Sequence, residues 1–82
     1  MDLENLPAGH RLELYVSPEC PYCAAAIAHY DERGLPFEVY DAQNDAAHQR
    51  RMLEITGGNR TVPAILVDGV YMQSGWGTPP RG

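Results

Sequence analysis

Leu12-Glu13-Leu14-Tyr15-Val16-Ser17-Pro18-Glu19-Cys20-Pro21-Tyr22-Cys23-Ala24-Ala25-Ala26-Ile27-Ala28 contains a change of period. Leu12, Leu14 and Val16 alternate with Glu13 and Tyr15, the two-residue repeat of a strand. Ser17-Pro18-Glu19 breaks that repeat. Pro21 suits the first position of a helix, where its missing N–H costs nothing. The alanine-rich run behind it predicts a helix to about Arg33, with Gly34 as its cap and Pro36 barring continuation. Cys20 and Cys23 are the only two cysteines of the chain. They stand at a strand-to-helix turn, where the unpaired amides of a helix N-terminus act on a nearby sulfur.

Outward from this unit the pattern repeats. Phe37–Tyr40 reads as a second strand, parallel to the first because a helix separates them. Asn44 and Asp45 cap a second helix from about Ala46 to Thr56, with His48, Met52 and Ile55 on one face and Gly57-Gly58 after it. Ala64–Val67 is apolar throughout, as a strand covered on both faces is. Asp68-Gly69 is a two-residue hairpin signal leading into Val70–Gln73. The order β-α-β-α-β-β predicts an α/β fold, a four-stranded mixed sheet with a helix on each face. Residues 1–10 have no period and read as a lead-in segment, with the domain proper over 11–82. Tyr15, Leu14, Phe37, Val39, Ile65 and Val67 are assigned to the core.

The totals exclude several classes. Eighty-two residues make one small domain. A net charge of −5 without a basic patch disfavours nucleic acid. No apolar run approaches the ~20 residues of a membrane span. The acidic start Met1-Asp2-Leu3-Glu4-Asn5 lacks the basic and hydrophobic regions of a secretory signal, so the cytoplasm is the expected location. There, a C-x-x-C pair near a βαβ pattern is reactive rather than structural. Zinc needs two further ligands, and His10, His29 and His48 are scattered, so no metal site is expected.

Cys20-Pro21-Tyr22-Cys23, Arg60-Thr61-Val62-Pro63, the Asp68-Gly69 hairpin and Ser74-Gly75-Trp76 together resemble a glutaredoxin, over Leu12 to Trp76. The resemblance implies a thioredoxin-like fold, here with the final helix missing. It implies a thiol–disulfide oxidoreductase that reduces protein or glutathione mixed disulfides without a bound cofactor. Cys20 is then the nucleophile and Cys23 the resolving thiol. A cis bond between Val62 and Pro63 is implied, turning the Val62 backbone toward Cys20 to pair with a substrate peptide. Tyr22, Arg60, Thr61, Val62, Pro63, Gly75 and Trp76 become the candidate substrate- or glutathione-binding residues. Four of these keep a second reading: helix packing for Tyr22, a solvated loop for Arg60, a strand-start proline for Pro63, and cover for the sheet for Trp76.

The departures bear on the electron donor. Glutaredoxins usually carry a Lys where Ser17 stands, and acidic residues where Gly77 and Thr78 stand. The Ser74-Gly75-Trp76 ending is similar to that of redoxins serving ribonucleotide reductase, which take electrons from thioredoxin reductase. The short length and the Gly57-Gly58 pair also resemble the UXX-star family. Glutathione is the reductant that the resemblance implies, with thioredoxin reductase as the alternative and a disulfide-bearing client protein as partner. A third reading, from another class, is a non-enzymatic iron–sulfur or thiol-binding module. The missing helix leaves a sheet face to be covered, either by residues 1–10 or by a second copy in a homodimer.

A thiol of ordinary pKa, about 8.5, is only roughly 3% ionised at pH 7. A mostly ionised nucleophile needs about 3 kcal/mol of preferential stabilisation. A helix macrodipole supplies about 0.3–1 kcal/mol. Direct hydrogen bonds to the Cys20 sulfur, from the N–H of Tyr22 or Cys23 or from the Cys23 thiol, are therefore required as well.

Overall fold

The computed structural model describes residues 2–82, and Met1, the first residue of the lead-in, lies outside them. Strand β1 spans Leu12–Val16, helix α1 Pro21–Glu32, β2 Phe37–Asp41, α2 Ala46–Thr56, β3 Ala64–Val67 and β4 Val70–Ser74. The sheet order is β2-β1-β3-β4, with β2 parallel to β1 and the other pairings antiparallel. This is the β-α-β-α-β-β mixed sheet read from the periods.

Local chemistry sets the ends of each element. Pro21 occupies the first turn of α1. At its other end the N–H of Gly34 donates to Asp31 O at 3.0 Å and that of Leu35 to Tyr30 O at 3.2 Å. Asp45 caps α2 by accepting from the N–H groups of Ala47 and His48. Gly57, at φ 70°, closes α2 in the left-handed conformation that glycine adopts without penalty. Asp68 and Gly69, at φ 54° and 80°, form the tight turn between β3 and β4. The Asp68 carboxylate accepts from the Arg11 N–H at 2.9 Å and pairs with His10 at 2.7 Å, which hold it below the usual carboxylate range.

The two faces of the sheet carry separate cores. On the α1 side, Leu12, Leu14, Val16, Ile65 and Val67 pack with Cys23 and Tyr30. On the α2 side, Tyr15, Ala64 and Leu66 pack with Ala42 and Met52. The partly buried Val62 packs against both. Central β3 is buried along its whole length, which explains its unbroken apolar run. Val39, assigned to the core, is instead 42% exposed. It lies opposite Leu14 on the outer strand β2, beyond the cover that α1 gives to β1.

The lead-in folds onto the α1 side. A 3-10 turn over Leu3–Asn5, capped by the Asp2 carboxylate, was not expected from the sequence. Leu3 and Leu6 are buried in the α1-side core. Three side chains of α1 and its cap hold the segment by its carbonyls: Tyr30 Oη donates to Leu3 O at 2.7 Å, His29 Nε2 to Glu4 O at 2.6 Å, and Arg33 to Leu6 O at 3.1 Å. After β4 the described residues form a turn bridged between Trp76 and Arg81 rather than a helix.

Candidate active site

The site lies beyond the carboxyl end of β1. The Cys20 N–H donates to Ser17 O at 3.1 Å, closing the turn that Ser17-Pro18-Glu19 begins. Cys20 then takes the N-cap position of α1, with extended backbone at φ −88° and ψ 114°. A cap usually presents a side-chain oxygen. Here the Cys20 Sγ fills that role and accepts the Cys23 N–H at 3.3 Å. The sulfur therefore lies at the positive end of the helix and receives one direct hydrogen bond.

The two thiols have different surroundings. Cys20 is half-buried, whereas Cys23 is 1% exposed in the α1-side core. Burial pushes the Cys23 thiol up to about 12, and its hydrogen bond to Cys20 and the Cys20 charge add to the shift. Cys23 therefore keeps its proton through the neutral pH range, and Cys20 is the more accessible of the two sulfurs.

The Thr61-Val62-Pro63 segment comes to the dithiol from the start of β3. The Val62–Pro63 peptide is cis, and Pro63 is fully buried. The Val62 carbonyl oxygen stands 3.8 Å from Cys20 Sγ. Pro63 O accepts the Gly75 N–H at 2.8 Å, which ties this loop to the turn after β4. Gly75 is buried at φ 94°, and a Cβ there would fall 2.8 Å from the Arg81 backbone N, so the position admits only glycine. Thr61 donates its N–H to Asn59 Oδ1 at 2.9 Å.

Beside Val62 a cleft of about 210 Å³ opens between the ends of β1, β2 and α2. Ser17, Gln43, Gln49 and Arg60 line it over a floor of Val16, Ala42 and Met52. Ser17 Oγ donates to Gln43 Oε1. Arg60 is exposed on the loop ahead of β3 and borders this cleft, which meets the dithiol loop at Val62. Tyr22 is 37% exposed on the first turn of α1. The Trp76 ring goes to α1 instead, at 5.3 Å from His29 and 5.4 Å from Tyr30 between ring centroids. Those contacts seat it against the α1-side core. Gln43 and Gln49 were not singled out from the sequence. The parallel register Val16↔Asp41 puts the residues after the two strands side by side, and that signal finds the Ser17–Gln43 contact. Among the described residues no cluster of three or more His, Cys, Asp or Glu could hold a metal ion.

Residues 12–72 match the family model of the glutaredoxins. The chain belongs to the glutaredoxin family. Glutaredoxin 1 of Rickettsia felis is 30% identical over 64 residues, covering 77% of this chain and 63% of that protein. A probable glutaredoxin of Acanthamoeba polyphaga mimivirus is 35% identical over 69 residues, covering 72% and 65%. The chain thus spans slightly under two thirds of the length of these curated relatives. Among solved structures, the thioredoxin-like protein BC3987 superposes with a TM-score of 0.72 at 25% identity, covering 83% of this chain and 90% of that one. Wheat glutaredoxin shares the fold, with a TM-score of 0.65 at 21% identity over 77% and 60%. In this glutaredoxin-family chain the cap position of α1 and the loop before β3 meet at a single sulfur, Cys20.

Burial of Cys23 has a pH signature in the reduced protein. Its folded-state pKa of about 12 lies above the ordinary thiol range of about 8.5 to 9.0, and that of Tyr30, also about 12, lies above 10.0 for the same reason. Above pH 9 the unfolded chain binds fewer protons than the folded one, so stability is complete below pH 9 and falls as pH rises toward 12. By pH 10.5 the loss is expected to be about 3 kcal/mol, about 2 of it from Cys23 and the rest from Tyr30. Urea unfolding under reducing conditions at pH 8 and 10.5 measures it. Cys23→Ala is expected to remove most of the difference, and an unchanged difference in that variant refutes the assignment.

Proposed function

We propose that the chain is a thiol–disulfide oxidoreductase that reduces protein or glutathione mixed disulfides through Cys20 and Cys23. The observation that carries the reading is the Cys20 sulfur at the α1 cap, bonded by the Cys23 N–H at 3.3 Å and facing the Val62 carbonyl at 3.8 Å. The Cys20 thiolate attacks one sulfur of the substrate disulfide. That bond breaks, one substrate thiolate leaves and takes up a proton from water, and a mixed disulfide forms at Cys20. Cys23 then gives up its proton and attacks the Cys20 sulfur, so the second substrate thiol leaves. Two electrons have passed to the substrate, and the Cys20–Cys23 disulfide must be reduced again from outside. Tyr22, Arg60, Thr61, Val62, Pro63 and Gly75 flank the bound substrate in this reading, with the Val62 backbone as the strand-pairing edge, while Trp76 stays packed on α1. The cytoplasm, whose thiol pools keep such pairs reduced, is the proposed location.

Glutathione is the proposed electron donor. A second reading, supply by thioredoxin reductase, is favoured by one feature. Ser17 is neutral and engaged with Gln43, so it offers no charge to a glutathione carboxylate. Reduction of a peptide disulfide is expected with NADPH, glutathione reductase and glutathione. Turnover only with NADPH and thioredoxin reductase transfers the assignment to the second reading, and turnover with neither rejects both.

A further inference from the structure

Beyond β4 the chain is held down at two points. Trp76 and Arg81 exchange backbone hydrogen bonds of 2.7 and 3.0 Å, closing residues 77–80 into a loop. The Trp76 ring rests on His29 and Tyr30. The next residue, Gly82, then reaches the loop ahead of β3. A Cβ added to Gly82 would overlap the Val62 carbonyl oxygen, fall 2.6 Å from Thr61 Cγ2 and 3.0 Å from the Val62 carbonyl carbon. Gly82 therefore lies against the same carbonyl that stands 3.8 Å from Cys20 Sγ. Among the described residues no backbone hydrogen bond joins Gly82 to Val62. The base of this strap is bonded, and its tip makes only close, weak contacts.

We propose that residues 76–82 are a specificity strap, in which Gly82 covers the Val62 carbonyl and selects the disulfides that reach Cys20. An extended peptide disulfide carries a backbone N–H that can donate to Val62 O. It replaces the weak contact of Gly82 with a full hydrogen bond and so lifts the tip. A small disulfide without a backbone donor has nothing to exchange for Gly82 and meets the strap as an obstacle. The strap favours peptide substrates over small ones. For its substrates this inference rests on the oxidoreductase reading above. For the position of the strap it rests on the contacts alone.

The test compares the pre-reduced protein with Gly82→Ala, whose methyl group must lift the tip, and Arg81→Pro, which removes the N–H that bonds to Trp76 O. Single-turnover reduction is measured with bis(2-hydroxyethyl) disulfide and with the disulfide-linked dimer of Ala-Cys-Ala. In each reaction the dithiol becomes the Cys20–Cys23 disulfide and the substrate becomes two thiols. Both variants are expected to speed the small disulfide about 2- to 5-fold and the peptide less, lowering the preference for peptide. A small-disulfide rate that is unchanged or slower in both variants overturns the proposal. Should the protein reduce neither substrate, the oxidoreductase reading fails separately. The strap is then judged by iodoacetamide alkylation of Cys20 on a Cys23→Ser background, where faster alkylation with Gly82→Ala supports it and an equal rate overturns it. A common urea midpoint for the variants and the parent shows that all are folded.

Discussion

Cys20→Ser is expected to abolish disulfide reduction, by about 1,000-fold or more, while leaving the fold intact. Oxygen cannot form the mixed disulfide on which the reaction depends, and a serine hydroxyl is scarcely ionised near neutral pH. Stability responds differently because of where Cys20 sits. It caps α1 through its side chain, accepting the Cys23 N–H. Serine is among the preferred residues at that position, so the cap survives and the unfolding free energy from urea titration should change by no more than about 0.5 kcal/mol. Activity and stability therefore separate in one variant. Cys23→Ser provides the complement. It keeps the nucleophile and loses the resolving step, so it should accumulate a mixed disulfide at Cys20, visible as a mass increase equal to the bound half of the substrate. Reduction by Cys20→Ser at more than a few per cent of the parental rate would assign the first attack elsewhere.

The largest loss of stability is expected from Tyr30→Ala. Tyr30 is fully buried, its ring supports Trp76 edge-on at 5.4 Å, and its hydroxyl donates to Leu3 O at 2.7 Å. Removing a large aromatic side chain from a core costs about 3–5 kcal/mol. For a domain of this size that lowers the melting temperature by roughly 15–30 °C. Tyr30→Phe isolates the hydroxyl. It leaves the ring in place and strands the Leu3 carbonyl, at about 1–3 kcal/mol. Calorimetric melts of the two variants test the division. A loss below about 1 kcal/mol for Tyr30→Ala would show that the lead-in and Trp76 are not seated on this ring.

Much of the fold was legible because each element carries its own punctuation. The two-residue period of Leu12–Val16, the apolar run Ala64–Val67 and the left-handed pair Asp68-Gly69 specify strands and a turn from neighbours alone. The same holds for Pro21 at the start of α1 and for the ends of α2 at Asp45 and Gly57. Burial at an outer strand is a different matter. Val39 has the residue type of a core position, but its exposure depends on how far α1 reaches across the sheet, and no local period records that. The candidate site divides in the same way. The C-x-x-C pair announces itself, whereas Gln43 and Gln49 enter through the packing of loops at the strand ends. The contact of Gly82 with Val62 joins residues 20 positions apart, and the run that carries the chain back, residues 75–82, is rich in glycine and proline and has no periodicity, so only the folded chain reveals it.

Val62 belongs to both cores, and this governs where the site can give way. A loop anchored in one core can open by loosening that side alone. A loop whose side chain is shared between the two faces can open only when both loosen, which amounts to unfolding the domain. The carbonyl opposite Cys20 is thus a fixed reference point, as durable as the sheet itself. On the oxidoreductase reading proposed above, adaptation to differently shaped clients falls to the parts around it: the exposed ring of Tyr22, the amide-lined cleft and Gly82. Substitutions that retune client choice should therefore be tolerated at those margins, while changes at Val62 would erode solubility and yield along with turnover.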